Sequence, residues 1–298
     1  MSTESPHTPP LQRILVLGAS GLLGQAVLRE LAQRPGLHAL AASRTRQSWQ
    51  EHPHCQPLIC GDLRELQALS ALLEQARPDI VINCVSVPKE LWNDWPTMIG
   101  LFAALPRRLA HFATMMNFRL IHISTDGVFS GRTGGYREED LPDAEDPYGL
   151  AKQLGETQNG RVTTLRTSII GPDPSGRRGL LEWVLQQKET CRGFSRAIFS
   201  GLPTTELARL IMDDIVPAKV PAGLYHVAAE PISKADLARL IIRQYGLPLE
   251  VADDPSVEID RSLNASRLRE LTGYVPAEWP VLIEKMHSNH MQWAGNHV

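Results

Sequence analysis

A doubly wound α/β fold, with a parallel sheet covered by helices on both faces, is the class this sequence predicts, and three observations predict it. Short apolar runs alternate with segments of helical spacing through the first half of the chain. The first run enters a glycine-rich turn that opens directly into a helix. The runs are apolar throughout rather than alternating, as strands buried on both faces are.

Residues 14–17 read as the first strand, and Gly18-Ala-Ser-Gly21-Leu-Leu-Gly24 follows. Leu23, Ala26, Val27 and Leu31 then recur at helical spacing, so 22–33 is expected as a helix with one face on the sheet. The alternation continues with 37–42 and 57–60 as strands, 66–75 as a helix and 79–84 as a fourth strand. A helical stretch covers 95–116, with Pro106 expected to kink or interrupt it, because proline removes an N–H and crowds the preceding turn. Residues 119–124 are the fifth strand. The polar, glycine-rich stretch 125–147 suits a loop over the carboxyl edge of the sheet, where open α/β folds place ligands. A helix begins near Pro147, and 162–167 reads as a sixth strand. Beyond Gly171 the alternation loosens: 179–189, 204–219, 232–245, 264–271 and 280–288 are expected helices, and 223–227 a strand.

Composition bounds the function. The chain has 298 residues, 43% hydrophobic and 21% charged, enough to bury a large core and too apolar for general disorder. Thirty Lys and Arg against thirty-three Asp and Glu leave a net charge of -3, so no global field draws it to nucleic acid or an acidic bilayer. Cys55, Cys60, Cys84 and Cys191 lack zinc-site spacing and read as reduced thiols. Residues 1–10 are polar and proline-rich, expected as a loose extension, with neither the basic start nor the apolar run of a signal peptide. No run of 18 apolar residues occurs, so no membrane span and a cytoplasmic location are expected. The ten histidines show no metal-binding spacing, and no metal site is expected.

The glycine turn carries the first chemical reading. Gly18, Gly21 and Gly24 sit between a strand and a helix, so small residues allow a tight turn while the helix amino terminus offers free N–H groups and positive partial charge to a pyrophosphate. At the end of the second strand Ser43-Arg44-Thr45-Arg46 stands where an acidic residue would accept hydrogen bonds from a free ribose. Arg44 suits a 2′-phosphate instead, with Ser43 donating a hydrogen bond and Arg46 adding charge, which favours NADP(H) and leaves NAD(H) as the alternative. Asp62, after the third strand, is placed either to receive the adenine amino group or to serve as an exposed helix cap.

Tyr148 and Lys152, four residues apart, project from one helix face toward a common pocket. Lys152 is expected to lower the tyrosine pKa and hold ribose hydroxyls, Tyr148 to exchange a proton with a carbonyl or alcohol, and Thr125 to bond the same oxygen. Arg177 and Arg178 offer charge that would neutralise a diphosphate. Cys84 reads as a small buried residue, and Trp92 and Trp95 read most simply as stacked packing, with shaping of a loop near the cofactor or substrate as the alternative.

Four stretches, Gly18 to Gly24, Ile123-Ser-Thr125-Asp126-Gly-Val-Phe129-Ser-Gly131, Glu138-Glu-Asp140 to Pro147 and Tyr148-Gly-Leu-Ala-Lys152-Gln-Leu-Gly-Glu156, resemble the extended short-chain dehydrogenase/reductases. Within them they look most like the dTDP-4-dehydrorhamnose reductases and related sugar-nucleotide reductases, over about residues 12–290. The resemblance implies a Rossmann-like domain and a smaller C-terminal substrate-binding lobe. The expected division is an extension over 1–10, an NADP-binding domain over 11–170, and a mainly substrate-binding lobe over 171–298, some of whose segments are free to return to the first domain.

It also implies Thr125, Tyr148 and Lys152 as the catalytic set. The cofactor set is then Gly18, Ser20, Gly21, Leu22, Leu23, Gly24, Ser43, Arg44, Asp62, Leu63, Cys84 and Val85 with Tyr148 and Lys152. The substrate set is Asp126, Val128 and Phe129 with Arg177. NADPH-dependent reduction of a nucleotide-linked 4-keto-6-deoxy sugar, in surface-polysaccharide precursor synthesis, is the expected activity. An epimerase or dehydratase with bound NAD, and a nucleotide-binding regulatory subunit without turnover, are the alternatives. A homodimer is left open. Two departures, Gly127 where these reductases often carry Tyr and Asn83-Cys84-Val85-Ser86 in place of Asn-Ala-Ala, loosen the link to one particular sugar.

Overall fold

The structure, a computed structural model, describes residues 11–45 and 55–295. The expected extension over residues 1–10, and Arg46, lie outside the described residues. Six strands come first: β1 (Gln12–Leu17), β2 (Leu37–Ser43), β3 (Cys55–Ile59), β4 (Ile80–Asn83), β5 (Arg119–Ile123) and β6 (Val162–Arg166). Between them run α1 (Leu22–Ala32), α2 (Leu66–Ala76), α3 (Trp95–Met98), α4 (Leu105–Met115) and α5 (Pro147–Gly155). The remainder carries β7 (Ile169–Ile170), α6 (Leu180–Leu185), β8 (Thr190–Phe194), β9 (Ala197–Phe199), β10 (Leu202–Pro203), α7 (Thr204–Leu210) and β11 (Gly223–His226). It ends with β12 (Ile232–Ser233), α8 (Lys234–Tyr245), β13 (Glu250–Asp254), β14 (Ile259–Asp260), α9 (Ser266–Thr272) and α10 (Trp279–Gly295).

The main sheet is parallel throughout, in the order β3-β2-β1-β4-β5-β6-β11. Chain direction across the sheet reverses between β1 and β4, which opens a crevice at their carboxyl ends. Successive side chains of β1 serve opposite cores. Ile14 and Val16 pack with Val27, Leu31, Ile211 and Ile241, while Leu15 and Leu17 pack with Leu69, Leu73 and Leu109. That two-sided burial is why the strand is apolar at every position. Three smaller sheets lie beyond β6: β7 with β10, β9 between β12 and β14, and β8 with β13.

Pro106 does not break its helix. Residues Ile99–Ala104 form a π-helical turn between α3 and α4, in which the Leu105 N–H donates to the Gly100 carbonyl, and Pro106 then falls in the first turn of α4. The wider turn takes up the proline that the expected kink was meant to accommodate. This turn also seats α5: a Cβ on Gly155 would stand 1.9 Å from the Phe102 carbonyl oxygen, so the two backbones touch only because residue 155 is glycine. Tyr148 and Lys152 are carried on that closely seated helix, whose amino terminus is capped by Asp146 accepting from the Gly149 N–H at 2.9 Å.

Candidate active site

The glycine turn meets the amino end of α1 in the crevice between β1 and β4. Gly18 has φ +73°, and a Cβ there would lie 2.6 Å from the Cys84 carbonyl oxygen. A Cβ on Gly24 would lie 2.2 Å from the Gly18 carbonyl oxygen. Both glycines are therefore demanded by the packing of the turn on itself and on the loop after β4, in addition to any approach by a phosphate. Gly24→Ala is expected to destabilise the protein by about 1–3 kcal/mol, since the clash is with backbone that cannot rotate away. An unaltered thermal midpoint would show that the turn has room. Gly21 occupies the cap position of α1, with no side chain bonded there and no acidic residue in the first turn. The helix start thus keeps its N–H groups and positive end for an anion. Ser20 is exposed beside it, Leu22 is half-buried and Leu23 is buried.

At the second strand's end Arg44 is exposed, whereas the Ser43 hydroxyl donates to the Thr45 carbonyl at 2.6 Å and so braces the loop. Asp62 is held by Arg64, whose Nε lies 2.9 and 3.0 Å from its two carboxylate oxygens. That pairing, first among its causes, keeps the Asp62 carboxyl below its usual range. Leu63 is buried against the second core. Cys84 is buried, with its thiol pushed up to about 12 by desolvation, an inert state for a nucleophile. The half-buried Val85 donates its N–H to Asn83 Oδ1 at 3.2 Å.

Thr125, Tyr148 and Lys152 are brought together at the carboxyl ends of β5 and α5's sheet-facing side. Thr125 and Tyr148 flank one spot, where a Cβ on Gly127 would lie 3.2 Å from Thr125 Oγ1 and 3.3 Å from Tyr148 Cε1, and Thr125 accepts from the Gly127 N–H at 3.0 Å and donates to Asp126 Oδ1 at 3.2 Å. Lys152, only 5% exposed, donates to the Ile123 carbonyl at 2.9 Å and lies 4.6 Å from the Phe102 ring centre. Burial brings its ammonium down to about 8, with Glu156 acting weakly the other way. Tyr148 lies face to face with Trp92, ring centres 4.2 Å apart and planes 6° from parallel, and edge-on to Phe102 at 5.4 Å. The expected lowering of Tyr148 by Lys152 is not what this arrangement gives. Burial under two rings raises the phenol to about 12, against the smaller lowering effect of the neighbouring Thr125 hydroxyl, while the lysine is turned to a backbone carbonyl.

The other sequence-derived substrate residues divide. Asp126 borders the triad, accepting from the Ser168 hydroxyl at 2.6 Å, and burial raises its carboxyl above the usual range. Val128 and Phe129 are fully buried with Tyr136, Ala228 and Leu263, Phe129 stacked on Tyr136 at 4.1 Å, so they hold the loop from inside. Arg177 is exposed on a loop tied to Asp173, near Leu22 of the glycine-turn helix, and no contact joins it to Tyr148.

Several residues at the site escaped the sequence reading. Trp92, expected as stacked packing or as shaping a loop near the cofactor or substrate, stacks on Tyr148. Three cations converge on the same mouth from distant segments. Lys89 lies 5.5 Å from the Trp92 ring centre, Arg261 Nη2 lies 3.5 Å from Asp146 Oδ2, and Lys234 is close enough to feel Lys89, Asp126 and Arg261. Lys89 could have been found, since it follows a strand at the sheet's carboxyl edge. Lys234 and Arg261 could not, because their place depends on the pairing of β12 and β14 with β9.

The family model described as the RmlD substrate binding domain matches residues 12–279. The chain belongs to this family. A protein similar over nearly its whole length is the methionine adenosyltransferase 2 subunit beta of Pongo abelii, 31% identical over 93% of this chain and 90% of that one. The protein of the same name from Xenopus laevis is 31% identical over 56% of this chain and about half, 49%, of its own length. The spore coat polysaccharide biosynthesis protein SpsK of Bacillus subtilis (strain 168) is 28% identical over 90% of this chain and 94% of its own. Among solved structures, a hypothetical dTDP-4-dehydrorhamnose reductase from Sulfolobus tokodaii superposes with a TM-score of 0.75 at 27% identity, over 90% of this chain and 98% of that one. The dTDP-4-dehydrorhamnose reductase of Bacillus anthracis str. Ames in complex with NADP gives 0.76 over 95% and 100%, at 19% identity a likeness of fold alone.

Proposed function

We propose that the protein is an NADPH-dependent reductase of a nucleotide-linked 4-keto-6-deoxy sugar. The observation that carries the reading is the joining of Thr125, Tyr148 and Lys152 at the carboxyl edge of the sheet, beside a helix start with no cap of its own. A nicotinamide dinucleotide fits these residues: the glycine turn and α1 would hold its diphosphate, Arg44 its 2′-phosphate and Lys152 its ribose hydroxyls. When bound, it supplies the hydride. The Sulfolobus tokodaii relative, a hypothetical dTDP-4-dehydrorhamnose reductase, supports the substrate class, and SpsK supports a place in polysaccharide synthesis.

The residues' own chemistry favours reduction. With its phenol raised to about 12, Tyr148 keeps its proton at neutral pH and gives it to the alkoxide forming at the sugar carbonyl. Thr125 orients that oxygen, and Lys152, as an ammonium, would hold the cofactor's ribose hydroxyls beside it. Because Lys152 titrates near 8, reduction is expected to be fastest below that pH and to fall as the ammonium loses its proton above it. A profile of kcat flat from pH 7 to 10 would oppose this role.

Cofactor choice rests on Arg44. Arg44→Ala is expected to raise KM for NADPH about tenfold or more while leaving NADH within about threefold, as loss of one charge-assisted phosphate contact predicts. Equal changes for both cofactors would remove the 2′-phosphate assignment. A second reading, a nucleotide-binding subunit without turnover, is favoured by the relatives named as a subunit of methionine adenosyltransferase 2. Absorbance assays with a panel of nucleotide-linked 4-keto sugars separate the two: NADPH consumed supports the reductase, and NADPH bound but never consumed supports the subunit.

A further inference from the structure

We infer that His122, on β5, is a positioning residue for the dinucleotide: it holds the Asn83 amide in the one orientation that keeps the loop after β4 shaped as a wall of the cofactor crevice. The inference rests on the proposed reading for the nicotinamide cofactor, and not for the sugar.

Three polar side chains line up across the sheet on a face that is otherwise apolar. The registers of β4, β5 and β6 set Asn83 beside His122 and His122 beside Thr164, and Leu17 of β1 lies at the other side of Asn83. Val81, Leu120 and Val162, two residues earlier on the same strands and the same face, belong to the second core together with Leu17. Asn83 is 3% exposed, and His122 and Thr164 are each 2% exposed. Polar groups at such a place cost free energy, so the bonds they make must supply something an apolar row would not.

The bonds run in one direction. Asn83 Oδ1 accepts from the Val85 N–H at 3.2 Å, which leaves the amide nitrogen to face His122 Nδ1, also at 3.2 Å. His122 Nδ1 is therefore the bare, accepting nitrogen, and the ring proton sits on Nε2. A doubly protonated ring would set a donor against a donor. The amide would then have to turn over, taking its oxygen away from Val85. Burial holds His122 well below its ordinary pKa and the Lys152 ammonium acts the same way, so the accepting form is the one present at neutral pH. Among the described residues neither His122 Nε2 nor the Thr164 hydroxyl meets a hydrogen-bond partner, so the ring's bond to the protein is the acceptor it offers Asn83.

The braced loop touches both halves of the site. Its first residue, Cys84, presents the carbonyl against which Gly18 of the glycine turn is packed, and farther along it Trp92 covers Tyr148. On the other side His122 precedes Ile123, whose carbonyl receives the Lys152 ammonium at 2.9 Å. One buried ring thus stands between the anchor of the catalytic lysine and the root of the loop that closes on the glycine turn.

The test reads cofactor binding without turnover, by fluorescence titration of the full chain with NADPH, in His122→Asn and His122→Gln. Asparagine places an acceptor oxygen where Nδ1 lies and leaves the outer part of the ring's space empty. Glutamine fills more of that space but carries its polar atoms out to the level of Nε2. His122→Asn is expected to bind within about threefold of wild type and His122→Gln about tenfold more weakly, as when about a tenth of the molecules hold the competent loop. Saturating NADPH selects that loop, so kcat should change by less than about threefold in both and the loss should appear in KM. A role in filling space predicts the reverse order of the two variants, and that order, or equal binding by all three proteins, overturns the inference. Thermal midpoints check folding, and the wild type alone carries the test if a variant does not fold. Its imidazole nitrogen chemical shifts should show the Nε2–H tautomer unchanged from about pH 5 to 9, and its Val85 amide should be protected from hydrogen exchange. An Nδ1–H or doubly protonated ring at neutral pH, or an unprotected Val85 amide, overturns it. A protein that shows the expected order of variants yet consumes no NADPH overturns the reductase reading and leaves the role of His122 standing. One that reduces keto sugars with the variants in the reverse order does the opposite, and a wild type that binds neither NADPH nor NADH overturns both.

Discussion

Tyr148→Phe is expected to lower kcat for reduction of the nucleotide-linked keto sugar by about 10²–10⁴-fold, the usual range for removing a positioned general acid. The ring would remain between Trp92 and Phe102, since the contacts at 4.2 and 5.4 Å are made by the aromatic faces and edges, so the fold and the cofactor pocket should persist. NADPH affinity, read by fluorescence titration, should therefore stay within about threefold while the chemical step collapses. A variant that retains more than about a tenth of wild-type kcat would mean that another group delivers the proton.

Lys152→Met should give two opposite results in one protein: loss of reduction, and a more stable fold before cofactor binds. The lysine is enclosed by Phe102 and the end of β5, and burial holds its pKa near 8 against an ordinary 10.5. The folded state binds that proton less tightly than the unfolded chain, so the burden is complete below pH 8 and disappears between 8 and 10.5 as both forms lose the proton. At pH 7 the shift corresponds to roughly 3 kcal/mol. Methionine fills similar space without a charge, and the unmet Ile123 carbonyl takes back part of the gain. A net stabilisation of about 1–2 kcal/mol and a rise in thermal midpoint of a few degrees are expected at pH 7, and little difference above pH 10.5. A midpoint below that of wild type at pH 7 would show that the ammonium stabilises this site.

Much of this was legible in the order of residues. The parallel sheet could be read because Ile14–Leu17 and its counterparts are buried on both faces and must be apolar at every position. The spacing of Tyr148 and Lys152 put them on one face because a helix fixes that geometry locally. What escaped depends on distant parts of the chain. The strands Thr190–Phe194 and Glu250–Asp254 pair with each other in a register sixty residues apart and carry Arg192, Asp253 and Asp254, so neither shows an apolar signature. Pro106 was read by its intrinsic geometry, and only the π turn before it shows how the helix goes on. Lys234 and Arg261 join the site through such short, polar strands, and the raised phenol of Tyr148 follows from Trp92, whose approach no local spacing specifies.

The last strand of the main sheet, β11, is made long after the other six. A ribosome must release more than fifty residues beyond β6 before Gly223–His226 can seal its outer edge. Through that interval the nascent sheet offers Val162–Arg166 as an open template for pairing with another chain. Successful biogenesis is then a race between translation of the intervening segment and edge-to-edge association, and slowing elongation after residue 170 should lower the yield of soluble protein.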